Sequence, residues 1–440
     1  MTSPQTLVLF NYDWDRIGFA QQRPHHAVDS AGFDLFSFPS NARLAGFDLD
    51  RFARGLAFRA RRRGWSGVTS SHEQFGALAA AMVAERLGWP GTPVRAVLAC
   101  QHKLYARRVL ERVCPEANVP FAELPARYGE PAPGGLGYPL FVKPVKAAFS
   151  VLAREVANRD ELHAMTRFAA WELWVIRHLV EPFERICRQR LPDAGSAHRL
   201  MTEAPVTGRQ YNLDGYVWRG ELRPLGFVES VMYPGTRAFM RFDYPCELPD
   251  EARARAIDVA GRFLAAIGFD HGMFNMEFIH DAVSGRLSVI EFNPRLAAQF
   301  SDLSLRVDGI DPHRISIELA CGRDPADVSR VAPTAAFASS LVFRSFDPQW
   351  KPAMPSRTQR HAFAEAFPGA FLFSFPRRRG QIARDFKWLG SYRYGIVHLD
   401  ARDLADLMRR CREASDLLGW PAPCLGMATA GAYELVPRPA

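Results

Sequence analysis

The stretch VIEFNPR (Val289 to Arg295) sets a carboxylate, Glu291, and a side-chain amide, Asn293, two residues apart in an apolar run, with Arg295 just beyond. Upstream, FNMEFIH (Phe274 to His280) carries Asn275 and Glu277 at the same spacing. Strand side chains alternate with period two, so each amide shares a face with its carboxylate. A turn near Ser284 and Gly285 closes the two runs into a hairpin and sets Glu277 opposite Glu291. Like charges directly opposite one another destabilise a sheet. The neighbours Phe278, Ile279, Ile290 and Phe292 bury both faces at least in part. Two readings follow. Either a hard divalent cation, Mg2+ or Mn2+, sits between the carboxylates and keeps positions for water and phosphate oxygens, or the hairpin is half-exposed and its acids point to water. Arg295 offers a fork that fits phosphate or carboxylate, or it makes a surface ion pair.

Lysines supply the complementary charge. HKLYARRVLERV puts Lys103 in the first turn of a helix, and PLFVKP puts Lys143 at the end of a strand, with Lys146 and Ser150 in the loop that follows. A lysine is a compact charge suited to phosphate oxygens, although each of these reads equally as a solvated lysine. In TEAPVTGRQ, Glu203 to Gln210, a strand runs into a bend. Its backbone can meet an adenine edge, or it is a plain inter-strand turn.

The elements that must position these groups are legible from periodicity. QTLVLF (5–10) and GFDLFSFP (32–39) read as strands, and HEQFGALAAAMVAERLGWPG reads as a helix stopped by Gly88 and Pro90. Strands alternating with helices over the first hundred residues imply a parallel, doubly wound α/β unit. A helix follows near Gln101 to Val113. Residues 160–191 are helical with a kink or break at Pro182. Consecutive strands then run through 200–233, and an amphipathic helix opens on Asp250 as its N-cap. The last hundred residues mix α and β and close on a second amphipathic helix, ARDLADLMRRCREASDLLGW.

The 440 residues are 48% hydrophobic and 23% charged, an ordinary globular balance for two to four units. The net charge of +8 is scattered, with dense spots only at RARRRGW (59–65) and PRRRG (376–380). Neither belongs to a nucleic-acid motif, and both read as solvated basic faces, so no nucleic-acid partner is expected. No run approaches the ~18 apolar residues of a membrane span, and the first apolar run meets Asp13 and Asp15 at once, unlike a signal peptide. No membrane partner is expected. Seven dispersed cysteines without a Cys-x-x-Cys pair point to reduced thiols and a cytoplasmic location. No zinc site is visible.

Taken in order, the set resembles the ATP-grasp superfamily, in particular its carboxylate–amine ligases and biotin-carboxylase-like members, over residues 5–325 and loosely beyond. The resemblance implies an α/β and α+β chain with an ATP-grasp fold. Its parts are an N-terminal doubly wound domain (1–100), a linker helix and lid subdomain (101–207), a core with the metal site (208–330) and a C-terminal segment that completes the core (331–440). It implies that Lys103 and Lys143 hold nucleotide phosphates, that Ser150 serves the phosphate loop, and that Glu203 to Val206 form the adenine hinge. Gln210 stands where the family commonly has a ribose-binding acid. Glu277, Glu291 and Asn293 match the metal set, and Arg295 the arginine that steadies the acyl phosphate or substrate; Asn293 and Arg295 are thus the catalytic pair. Arg237 and Arg241 are weaker candidates for a substrate carboxylate. The loop VKAAFSVLAR lacks the family's usual glycines, and LAA replaces a common glycine pair after the arginine.

The implied activity is ATP- and Mg2+-dependent activation of a small-molecule carboxylate as an acyl phosphate, then coupling to an amine. A homodimer is left open. An ATP-dependent carboxylase component or small-molecule kinase is the alternative, though no biotinyl carrier motif is visible. A non-catalytic nucleotide-binding module is a third reading.

Overall fold

The computed structural model describes residues 5–22, 26–35, 40–127, 129–131, 134–147 and 152–423. Ser150 lies outside the described residues, as do Cys424 and part of the 32–39 segment. Strands β1 (Gln5–Leu9), β2 (Ala27–Ala31) and β3 (Trp65–Thr69) form a parallel sheet in the order β2-β1-β3. The second strand therefore lies upstream of GFDLFSFP. None of its residues is fully buried, which hides it from a hydrophobicity search, whereas Phe33 is apolar for another reason: it packs edge-on against Phe10 and Phe47 at 5.5 and 5.1 Å.

Strands β4 (Phe121–Arg127), β5 (Leu140–Pro144), β6 (Arg154–Val156) and β7 (Arg199–Glu203) form a small antiparallel sheet, ordered β4-β7-β5-β6. The helices Arg159–Thr166 and Ala170–Arg190 are inserted between β6 and β7, and Pro182 lies inside the second without ending it. The chain leaves this sheet through Ala204 to Gly208. Gly208 has φ +123°, and a Cβ there would stand 2.5 Å from the carbonyl oxygen of His280, so only glycine fits.

The third sheet comprises β8 (Arg209–Trp218), β9 (Glu221–Met232), β10 (Phe239–Tyr244), β11 (Gly272–His280), β12 (Leu287–Asn293), β13 (Phe337–Ser345), β14 (Phe371–Ser374) and β15 (Tyr392–Ala401). The order is β12-β11-β8-β9-β10-β13-β15-β14, so β12 is an edge strand. One face packs Met276, Phe278 and Phe292 on the helix Asp250–Ala266, where Phe263 stacks on Phe292 at 3.9 Å. Pro249, not Asp250, is the cap of that helix, and no side chain caps it. The opposite face carries Glu277 and Asn275. Further along, the same face packs Phe242, Val342 and Ile396 on Phe300 and Leu303.

The run RARRRG ends the helix Leu49–Arg63, which is capped by Asp48 at one end and by Gly64 (φ +69°) at the other. Arg61 to Arg63 are exposed there, where cations suit the helix dipole. The six described cysteines are free thiols. Among the described residues no helix is long and apolar enough to cross a membrane.

Candidate active site

The hairpin has the register that its turn dictates. Asn275 stands opposite Asn293 and Glu277 opposite Glu291, and Gly285 takes the left-handed turn position at φ +67°. Ile290 is an extra residue that bulges out between Glu291 and Val289. As β12 is an edge strand, the Ile290 carbonyl is open, and two cations cap it: Lys143 Nζ and Arg107 Nη2, each at 3.3 Å.

The acids are tied down from several sides. Lys103 forms an ion pair with Glu291, and its ammonium also reaches the Ala147 carbonyl at 3.2 Å. Lys103 arrives here because His102 caps its helix, accepting from the Tyr105 N–H at 3.2 Å, which places the lysine in the first turn. Gln210 Nε2 donates to Glu277 Oε2 at 3.0 Å, and Asn293 Nδ2 donates to Glu277 Oε1 at 3.2 Å. Asn293 Nδ2 also donates to Asn275 Oδ1 at 3.1 Å, and Asn275 Nδ2 donates to Asp214 Oδ1 at 2.8 Å. This chain of amides fixes the Asn293 side chain with its Nδ2 toward Asn275 and Glu277.

Burial and then the facing Glu291 push Glu277 up to about 8. Burial alone would also raise Glu291, but Lys103 and Lys143 outweigh it and hold that carboxyl below its ordinary range. Asp214, buried behind the amides, is pushed up to about 7 by burial against the pull of Asn275.

Lys143 and Lys146 keep only 3% and 2% of their surface exposed, which rules out solvated lysines. Lys143 pairs with Glu203 at 2.8 Å, and Arg107 pairs with the same oxygen at 2.6 Å. Burial opposes the charge on Glu203, yet these two cations hold it down at about 2. Lys146 is pulled down to about 7 by burial. It lies over the Phe183 ring at 4.9 Å and donates to the Glu73 carbonyl at 3.4 Å. Arg295 pairs with the Glu73 carboxylate at 3.2 Å.

Glu73 follows β3, and Tyr12 and His72 stack beside it at 4.9 Å. These residues sit beyond the carboxyl ends of parallel strands, where open α/β sheets place ligand sites. Glu73 and Arg107 were not singled out from the sequence. The position of Glu73 in the short loop between a strand and a helix, and the four-residue offset of Arg107 from Lys103 on one helix face, are signals that would have found them.

Val206 lies in the segment between the small and large sheets and is partly exposed. The two remaining arginines are not brought to the acids. Arg237 is exposed in the turn after β9 and pairs with Glu155 of β6 at 3.2 Å. Arg241 is buried on the wrong face. Phe242 stands opposite Ser230, and Ser230 opposite Gln210, whose amide touches Glu277. Arg241, one residue off that row, therefore points through the other side, where it pairs with Asp243 at 2.7 Å.

Among the described residues no three His, Cys, Asp or Glu side chains converge as a metal site. The set here is two carboxylates and one amide oxygen. That suits an ion which keeps water and phosphate in its other positions, and it does not suit an all-protein cage.

No family model matches the chain. An L-amino acid ligase from Bacillus licheniformis has a similar structure, with a TM-score of 0.69 at 16% identity, covering 94% of this chain and 97% of that one. The chain has the ATP-grasp fold. In sequence, the chain is 28% identical over 285 residues to the uncharacterized protein y4rH of Sinorhizobium fredii, covering 63% of this chain and 53% of that protein. It is 27% identical over 278 residues to carnosine synthase 1 of Gallus gallus, covering 60% of this chain and 28% of that protein. The matches thus span about half and about a quarter of those relatives' own lengths.

Proposed function

We propose that the chain is an ATP-dependent ligase that activates a small-molecule carboxylate as an acyl phosphate and couples it to an amine. One observation carries this reading: two carboxylates face each other on paired strands, Lys103 pairs with one of them, and Lys143, Lys146 and Arg295 are buried around them on neighbouring backbone and acidic groups. The likeness to an amino acid ligase supports it. In this reading the chain divides near residues 100, 207 and 330, with the final segment completing the core, and it works in the cytoplasm, which the free thiols support.

Glu277, Glu291 and the Asn293 oxygen would hold Mg2+ or Mn2+. When bound, that ion would supply neutralisation of phosphate charge. The raised proton affinity of Glu277 fits the assignment, since a buried like-charged pair needs a cation or a proton. Lys103, Lys143 and Lys146 would face the phosphates, and the backbone of Glu203 to Val206 the adenine, with Gln210 beside the ribose. Arg295 would steady charge on the transferring group and on the acid's carbonyl oxygen. The small sheet with its two helices would close over the nucleotide and exclude water from the acyl phosphate.

The test is release of ADP and phosphate from ATP and Mg2+ with pools of acids and amines. Release that requires both an acid and an amine supports ligation. Release with bicarbonate and biotin makes the chain a carboxylase component. ATP binding without turnover under any acceptor makes it a binding module.

A further inference from the structure

A second pair of like charges lies on the same face of the large sheet, some strands away from the acids. Arg344 on β13 stands directly opposite Arg393 on β15. Val342 is in the apolar row with Phe242 and Ile396, so Arg344, two residues on, shares the face that carries Glu277. Arg377, from the PRRRG run, joins them. Cations directly opposite one another destabilise a sheet unless an anion sits between them.

Protein counter-charge is scarce here. Arg344 donates to the Phe239 carbonyl at 3.2 Å and to Ser391 Oγ at 3.0 Å, both neutral. Arg393 lies 4.4 Å over the Phe375 ring and has no hydrogen bond or ion pair among the described residues. Asp385 is the nearest acid, 3.6 Å from Arg377 Nε, too far for a hydrogen bond, and that nitrogen is buried without a partner. Burial, then Arg344 and Arg377, hold the Arg393 guanidinium down at about 9. An arginine does not release its proton in a protein, so this depression reflects burial first and then two like-charged neighbours. Arg344 and Arg393 are only partly buried, so a solute can reach them.

Tyr12 connects the two regions. Its hydroxyl feels the charges of Glu73 and Arg295 on one side, and it acts on Arg393 on the other.

We infer that Arg344, Arg377 and Arg393 form a second anion site, which takes a carboxylate of one of the two substrates while the reacting group lies near Arg295. This rests on the ligase reading. Planar guanidinium forks suit a carboxylate in two-point contact, so that substrate is an acid with a second carboxylate or an amine that bears one.

The experiment uses two panels with the full chain, ATP and Mg2+. In the first, hydroxylamine traps the activated acid as a hydroxamate, and each dicarboxylate is compared with its monocarboxylate. In the second, each amino acid acceptor is compared with the amine formed by removing its carboxylate. We expect the wild type to favour the carboxylate-bearing member at least about tenfold in kcat/KM in one panel, and Arg393→Gln and Arg344→Gln each to cut that preference at least about fivefold. Preference in the first panel assigns the site to the acid, and in the second to the amine. No preference in either panel, or a preference that both variants leave intact, overturns the inference. So does an equal loss on every substrate.

Failure of the ligase reading shows separately, as no ADP from wild type with any acid. Succinate binding then decides alone: it should raise the thermal midpoint of the wild type and of neither variant. An equal rise in all three overturns the site.

Discussion

The large sheet opposes like charges twice on one face. Glu277 meets Glu291 across β11 and β12, and Arg344 meets Arg393 across β13 and β15. The acidic pair lies at the edge of the sheet, where a helix end and the small sheet each bring a cation. Lys103 comes from the helix, Lys143 from the small sheet, and Arg295 from the chain just beyond β12. The arginine pair lies near the other edge, among neutral donors and acceptors and one distant acid. The first pair is therefore balanced by protein and tuned by it, with one carboxyl pushed up and its partner pulled down. The second is left with excess charge. A like-charged pair that the protein balances is suited to binding something and releasing it within a cycle, whereas one that it leaves unbalanced depends on what arrives from solution.

That contrast can be broken in several ways. The largest expected effect is from Glu291→Gln, which should cut ADP formation by about a thousandfold or more with the circular dichroism spectrum retained, since charge stabilisation at a phosphoryl centre is lost. Wild-type turnover in that variant would remove the cation from the acidic pair. Lys143→Ala should weaken binding of a non-hydrolysable ATP analogue by about ten- to a hundredfold, the worth of one charged hydrogen bond, read by calorimetry.

Smaller effects concern the ligand-free protein. Relief of like-charge repulsion is worth about 0.2–1 kcal/mol. Glu277→Gln in a chelator and Arg393→Met without added anions should both raise the thermal midpoint slightly. A rise in the first with a fall in the second would mark the arginine pair as structural.

The smallest effect is in pH dependence. The Asp214 carboxyl is raised in the folded state to about 7 from an ordinary value near 3.8, so the folded chain binds the extra proton between those values. Its contribution to stability is therefore full at low pH and is lost as pH rises toward 7. Asp214→Asn should flatten the decline between pH 5 and 7 in denaturant titrations, and an unchanged slope would place the proton elsewhere.

The acidic pair was legible in the sequence because its strands are joined by a short turn, so local chemistry set the register. The arginine pair was not. Its strands are separated by β14 and two helices, and its register depends on a bulge at Tyr394 that no local pattern announces. Arg377 was read as part of a solvated run for the same reason: its neighbours come from distant segments. The fate of Arg241 is instructive in another way. Its identity suited a substrate contact, but the sheet's alternation gave it to the opposite side. Strand β2 was misplaced because an edge strand of mixed exposure carries little hydrophobic signal, while the nearby phenylalanines belong to an aromatic plug.

Gly208 gives the small sheet a fixed pivot. The bare backbone at that point slides past the end of β11, and any side chain would wedge against the strand that carries Glu277. A lever is accurate only when its fulcrum does not drift. An added methyl group here should throw the lysines of one arm out of alignment with the acids of the other, although it touches neither.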